Sequence, residues 1–238
     1  MAELVLLDAK HYVAGLDFSG SYSDHALALE SDAPEFTAFG DTTRVYKGGL
    51  VGAGAEHEGY WDNPIDLDLF TNIGAAARNA TLAAVGADGD IAFFYETIGT
   101  SYSPGANIGD AYMFSASDQV TGLVTRGLVM ATGAKTSTAD GTARQLGAVS
   151  ATQSIRASLH VLAVSGTDPT LDVIVESDDE EAFGGTPETQ ITFAEATAVG
   201  GELLTTAGAI TDDWWRVGWT IGGTDNPSFT FVVAVGIA

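Results

Sequence analysis

Short β-branched or aromatic runs separated by glycines recur along the whole chain, and several alternate between apolar and polar residues. Within residues 171–176, Asp172 and Glu176 bracket an apolar run, whereas residues 229–236 are apolar almost without interruption, as in the central strand of a sheet. The pattern predicts a many-stranded, antiparallel, all-β protein. The strand candidates are residues 11–18, 36–39 with 45–46, 91–97, 111–116, 122–132, 158–165, 171–176, 190–194, 214–221 and 229–236.

One segment predicts a helix. It begins near Pro64, a residue suited to a first helical turn, and runs to Ile73, where Gly74 supplies the stop. Asp66 and Asp68 are expected in the first turn, where the helix dipole favours negative charge.

Residues 132–143 are small and polar and lack an apolar period, which is typical of a linker or a long loop. The chain is therefore expected to divide there. Residues 1–135 would form a β-sandwich or barrel that holds the helix, and residues 143–238 a second β-sandwich. The two parts are similar enough in length that a diverged duplication stays open.

The charge of the chain is strongly one-sided. Nine Lys and Arg stand against 32 Asp and Glu, for a formal net charge of -23. Tight binding to a phosphate backbone needs cations that release condensed counterions, so this composition excludes a nucleic-acid-binding protein of that kind. Duplex DNA could pass such a surface without adhering to it. A high-salt habitat, where ions screen the self-repulsion, stays open as well.

The sequence offers little for chemistry. It has no cysteine, and His11, His25, His57 and His160 show no metal-type spacing, with His160 expected to be half-buried and hydrogen-bonded. Acids are too frequent for any carboxylate pair to be informative, and no Gly-x-Ser-x-Gly elbow is present. We predict no catalytic residue, no metal ligand and no cofactor, and hence a protein that is not an enzyme.

Residues 177–185 include a run of four acids that could gather a calcium ion. The run lacks the alternating spacing of a calcium loop, so a solvated turn between two strands is the favoured interpretation. The first eight residues lack the basic flank and the long apolar core of a signal peptide, and no membrane span is predicted. Synthesis in the cytoplasm is expected.

An aromatic cluster is the most distinctive local feature. Trp215 and Trp219 share strand parity, whereas Trp214 points to the other face. With Arg216 laid against it, this cluster is expected to anchor the core of the C-terminal sandwich. An exposed ring could instead stack on a sugar.

Residues 28–50 carry a family resemblance. An acidic stretch leads to Thr and Phe-Gly-Asp and then through a basic and aromatic segment to Gly-Leu. The matching positions are Glu35, Thr37, Phe39, Gly40, Asp41, Arg44, Tyr46, Gly49 and Leu50. This stretch, with the order of elements over about the first 130 residues, resembles the major tail proteins, the tail tube proteins of long-tailed viruses. The remainder is similar to the C-terminal β-sandwich of some viral tail proteins.

The resemblance implies a virion tail subunit that assembles with further copies of itself into stacked rings, usually sixfold, around a lumen for duplex DNA. It also implies partners such as a tape measure protein and a tail terminator, and a loop that reaches the next ring. The segment 35–52 is the loop candidate. The inter-subunit residues are then expected to be Glu35, Phe36, Phe39, Asp41, Arg44, Tyr46 and Lys47.

The charge argues independently for a conduit, because a wall rich in Arg would trap the duplex. Inward-facing positions are therefore expected to be Asp, Glu, Ser, Thr and Gly. Three other classes stay open: a carbohydrate-binding or adhesin module, a hydrolase, and a capsid decoration protein. The ring number is open too, since a trimer of duplicated halves would mimic a hexamer.

Overall fold

The computed structural model describes residues 9–238, so the expectation about a signal peptide in residues 1–8 lies outside the described residues. The predicted all-β class with one short helix is confirmed within that range. In chain order the elements are β1 (Lys10–Val13), β2 (Leu16–Asp17), β3 (Tyr22–Ser31), β4 (Val51–Tyr60), α1 (Asn63–Thr71), β5 (Arg78–Ala83), β6 (Ile91–Gly105), β7 (Met113–Lys135), β8 (Ala139–Asp140), β9 (Arg144–Gln145), β10 (Ser154–Asp178), β11 (Glu188–Thr192), β12 (Gly200–Ala207) and β13 (Trp214–Ile237).

The described chain folds as two compact units, and strands β6 and β7 contribute residues to both. Unit 1 comprises residues up to 20, 77–96 and 122–238, and unit 2 comprises residues 21–76 and 97–121. These limits differ from the predicted division into 1–135 and 143–238, which stays a prediction.

The two longest strands, β10 and β13, form the frame of unit 1. They pair antiparallel from Ile155 opposite Ile237 to Asp178 opposite Trp214, with register shifts near the middle. Strands β11 and β12 pair with β10, and β7 pairs with β13. The central position of β13 explains why residues 229–236 are almost entirely apolar, since both faces of that stretch are buried.

The apolar core of unit 1 lies on this frame. Trp215, Phe229 and Phe231 are fully buried there with Val, Ile and Leu side chains from β10 and β13. Aromatic side chains of this size each remove a large apolar area from water, so they dominate the packing energy.

The segment 132–143, expected to be a linker, is partly paired. Strand β7 continues to Lys135, and the short strand β8 places Asp140 opposite Gly218 and Ala139 opposite Trp219. The prediction of a loop was wrong for these residues, because β13 supplies their hydrogen bonds and this pairing overrides their low β-propensity.

A buried polar network lies beside the core of unit 1. His160 is fully buried rather than half-buried, and its Nδ1 accepts the N–H of Gly15 at 3.3 Å. Because Nδ1 accepts this N–H, the neutral ring carries its proton on Nε2, which lies 2.9 Å from the hydroxyl of Thr81. Burial lowers the pKa of His160 from 6.5 to about 3, because the charged form would lose its hydration.

This burial predicts acid sensitivity. Since the folded pKa of His160 lies below its ordinary value of 6.5, its contribution to stability is complete above that pH and is lost as pH falls towards 3. The loss approaches about 1.4 kcal/mol per pH unit. In H160Q, we expect the fall in unfolding free energy between pH 7 and pH 5 to shrink by about 2 kcal/mol, measured by chemical denaturation.

Thr81→Val is the control, since it disturbs the same network without removing a titrating group. It should keep the pH slope of the wild type. Equal slopes in wild type and H160Q would contradict the assignment.

Unit 2 is built on the sheet formed by β4 with β3 on one side and β7 on the other. The predicted helix is confirmed as α1, which ends one turn before Gly74, a glycine with φ of +66°. Asp66 lies in the first turn as expected, whereas Asp68 lies beyond it. Among the described residues, no helix has the length and apolar character needed to cross a membrane.

Candidate assembly surfaces

One face of the sheet in unit 2 carries only small, polar or acidic side chains. Alternate residues of β3, β4 and β7 share this face because successive side chains of a strand point to opposite sides. We name it the acidic face. Its members are Asp24, Ala26, Ala28, Glu30, Gly52, Gly54, Glu56, Glu58, Ser115, Ser117 and Gln119.

All the charged members of the acidic face are acids, and they are exposed. Asp24 lies directly opposite Glu58 across the β3–β4 pair. Like charges in that position destabilise a sheet by a few tenths of a kcal/mol up to about 1 kcal/mol. The arrangement therefore does not serve stability. The face is concave, with a depression of about 540 Å³ that Glu30 and Glu56 line together with Thr100 of β6.

The opposite face of the same strands is packed. Ala55, His57 and Phe114 are buried there. His57 Nε2 lies 3.2 Å from Asp118 Oδ2, and His57 Nδ1 lies 2.7 Å from Nδ1 of His25, its register partner on β3. Burial, followed by the neighbouring His57, lowers the pKa of His25 to about 4. This packing holds the acidic face in one register, because a one-residue slip would expose the apolar side.

The connection between β3 and β4 is a projecting hairpin. Every residue from 28 to 52 is exposed, although apolar side chains are frequent among them. We name residues 32–50 the arm tip. Phe39 is fully exposed, Leu50 is 83% exposed and Phe36 is 54% exposed. Val45 and Tyr46 are exposed as well. An apolar surface of this kind on a folded segment is typical of an interaction site.

The arm tip is ordered by its own hydrogen bonds. The N–H of Phe36 donates to the carbonyl of Val45 at 2.7 Å, and the N–H of Gly49 donates to that of Asp32 at 2.7 Å. At the turn, the N–H of Ala38 donates to Asp41 Oδ2 at 2.8 Å. Such a preformed segment loses little conformational entropy when it binds.

The sequence-predicted inter-subunit residues all lie in the arm tip, and all are exposed. Arg44 forms an ion pair with Glu35 at 3.8 Å and lies 3.4 Å from the hydroxyl of Tyr46. The ammonium of Lys47 lies 4.9 Å from the centre of the Phe36 ring, within cation–π range. Residues 36–39, expected as a strand, form none, and only Glu35 and Tyr46 make an isolated bridge. The role of the sequence-predicted inter-subunit residues in contacts between subunits stays a prediction.

Helix α1 presents a second apolar surface. Ile65 and Leu69 are buried, but Leu67 and Phe70 are exposed on the outer side. The hydroxyl of Tyr102 donates to Asp66 at 2.5 Å, which ties the helix to β6.

The tryptophan cluster lies in unit 1. Trp215 and Trp219 are buried, and their indole N–H groups donate to the carbonyls of Gly147 and Ser137. Trp214 is half-buried. Arg216 donates to Glu176 at 2.8 Å. Because Trp215 and Trp219 are buried and hydrogen-bonded, their rings are not available to stack on a sugar.

The acidic face was not predicted as a set of residues. Strands β3 and β4 escaped the sequence analysis because Gly, Ala and Glu dominate β4, and these residues have low β-propensity. The available signal was the alternation in residues 54–59, where His57 separates Glu56 from Glu58.

No family model and no curated protein matches the chain. Among solved structures it is similar to a chain of the virion of a native gene transfer agent particle, at 11% identity and a TM-score of 0.43, covering 50% of this chain and 95% of that one. The SPP1 tail tube gives 18% identity, a TM-score of 0.40 and coverage of 48% and 74%.

The sheath–tube complex of an extracellular contractile injection system, PVC, gives 11% identity, a TM-score of 0.45 and coverage of 53% and 93%. At these scores the likenesses carry no argument about function. One of these solved structures is a tail tube, the class of protein that residues 28–50 resemble.

Proposed function

We propose that the chain is a non-enzymatic structural subunit of a virion tail tube, which self-assembles into stacked rings whose inner wall is the acidic face. The single observation that carries the proposal is this face. It is a concave sheet surface on which Asp24, Glu30, Glu56 and Glu58 are the only charged residues.

The acidic face suits a conduit for duplex DNA. Its carboxylates repel phosphates. Its remaining members are small or uncharged polar side chains, which do not bind DNA tightly. Eight of its eleven members are Asp, Glu, Ser or Gly, which are among the types expected for a lumen, whereas Ala26, Ala28 and Gln119 are not. The loss of sheet stability that results from placing Asp24 opposite Glu58 is then explained by function.

Assembly would use the edge of β3 and the arm tip. Among the described strands, β3 pairs only with β4, so residues 26–31 border no second strand of this chain. An exposed edge of this length invites pairing with another copy. Repetition of one heterologous contact closes a ring when the rotation allows it. The arm tip, with Phe39 and Leu50 exposed, would bury its apolar side chains against a neighbouring ring.

Negative-stain microscopy of the purified chain tests the proposal directly. Hollow tubes or stacked rings are the expected result, and a chain that stays monomeric at every concentration and ionic strength would exclude it. A capsid decoration protein would instead give trimers without tubes.

Charge reversal tests the inner wall. The variant E56K/E58K is expected to bind a short DNA duplex that the wild type does not bind, because two lysines on the acidic face neutralise phosphates and release counterions. Fluorescence anisotropy at low and moderate salt measures this gain, which should weaken as salt rises.

The matched control is E188K/E195K, which makes the same change in net charge at exposed positions of unit 1. In assembled material this control should not retain DNA. If both variants bind the DNA duplex equally, the net charge rather than the acidic face determines binding, and the assignment of the inner wall is wrong.

A further inference from the structure

The acidic turn after β10 differs from the solvated turn predicted for residues 177–185. Asp179, Glu180 and Glu181 are exposed as expected, but Asp178 is only 3% exposed. Its Oδ1 accepts the N–H of Glu180 at 3.2 Å, whereas its buried Oδ2 accepts no hydrogen bond. A buried carboxylate oxygen without a donor is unusual, because its lost hydration is not replaced.

A second carboxylate lies beside it. The side chain of Asp179 is close enough to that of Asp178 that their contact raises the pKa of Asp179. Both face Gly185. A Cβ placed on this glycine would lie 3.4 Å from Asp178 Oδ1, 3.7 Å from its Oδ2 and 3.9 Å from Asp179 Oδ1. The two carboxylates therefore converge where the chain has no side chain.

No side chain within residues 9–238 forms an ion pair with these two carboxylates. Arg216 contacts the same turn, with its guanidinium carbon 4.3 Å from the centre of the Phe183 ring. Its nitrogens pair instead with Glu176 at 2.8 Å and Asp140 at 3.4 Å. None of the ion pairs formed within residues 9–238 includes Asp178 or Asp179. Two adjacent carboxylates, one of them buried, repel each other unless a proton or a cation lies between them.

We propose that this turn binds a calcium ion, with Asp178 Oδ2 and a carboxylate oxygen of Asp179 as protein ligands and water completing the shell. All the available donors are oxygens, which suits a hard cation. Calcium accepts irregular geometry and six to eight ligands, whereas magnesium demands a near-ideal octahedron. With few protein ligands, we expect a dissociation constant between about 0.1 and 1 mM, as in extracellular modules.

The proposed site differs from the sequence-based expectation of no metal ligand, which stays a prediction. It lies in unit 1 and is independent of the proposed tube, since neither the acidic face nor the arm tip contributes to it.

Calcium titration of the purified full chain tests the site by isothermal calorimetry and by the shift of the thermal midpoint. The wild type is expected to bind one ion and to gain stability, because the ion binds the folded state. D178N and D179N should each lose at least tenfold in calcium affinity. Magnesium should produce a smaller shift of the midpoint than calcium. Ionic strength is held near 0.15 M, where the Debye length is about 8 Å, to suppress diffuse association with the acidic surface.

Asp172→Asn is the matched control, because it removes one charge from an exposed position of the same strand. It should bind calcium as the wild type does. Absence of binding to the wild type, equal losses in all three variants, or wild-type affinity in D178N would each overturn the proposal. Should D178N fail to fold, the exposed D179N decides the question, since its side chain is not part of the core.

Discussion

Replacing Phe39 with Asp is expected to leave the purified chain as a monomer under conditions in which the wild type forms tubes. Phe39 is fully exposed in the single chain, so the substitution removes no packing within the fold. If its ring is buried by a neighbouring copy, the interface gains about 1.5–3 kcal/mol per copy from that ring alone. Each 1.4 kcal/mol changes the assembly constant about tenfold. Sedimentation velocity and negative-stain microscopy measure the result.

Leu50→Asp should act in the same direction, because Leu50 is the second most exposed apolar side chain of the arm tip. The control is Val85→Asp, which adds the same charge at an exposed position in unit 1. It should assemble normally. Tubes formed by F39D at the wild-type concentration would show that the arm tip does not hold the rings together.

Trp215→Ala is expected to destabilise unit 1 by about 3–5 kcal/mol. The side chain is fully buried in the largest apolar cluster, and its indole N–H donates to the carbonyl of Gly147 at 3.0 Å. The substitution would create a cavity and leave that carbonyl without its donor, and both effects lower the free energy of unfolding. Chemical denaturation followed by circular dichroism measures the loss.

Trp214→Ala provides the comparison, because Trp214 is the neighbouring residue and is only half-buried. It should cost less than half as much as W215A. Similar losses in the two variants would mean that strand parity does not decide which tryptophan supports the core.

The all-β class, the single helix and the apolar character of β13 followed from local patterns. Each depends on residues close in sequence: period-two alternation, a proline at the first helical turn, and an uninterrupted apolar run. The strand lengths could not be predicted from these local patterns. β10 and β13 continue across the predicted gaps between 165 and 171 and between 221 and 229, because each supplies the other with hydrogen bonds across polar residues such as Thr167 and Thr224.

Of the two candidate surfaces, local patterns located only one. The arm tip could be located from residues 35–50, since its motif is contiguous. The acidic face could not, because its members come from three strands, and β3 and β4 carry many residues of low β-propensity. Their pairing is decided by the packed opposite face, where His57 and Phe114 lie.

Composition alone determined that this chain repels polyanions, since no fold can turn a net charge of -23 into a basic protein. Only the tertiary structure decided where the charges lie. Strand pairing aligned Asp24, Glu56 and Glu58 on one exposed surface, and the end of β10 buried Asp178 while leaving its neighbour in water. Such placement depends on contacts between residues far apart in the chain, which local patterns do not encode.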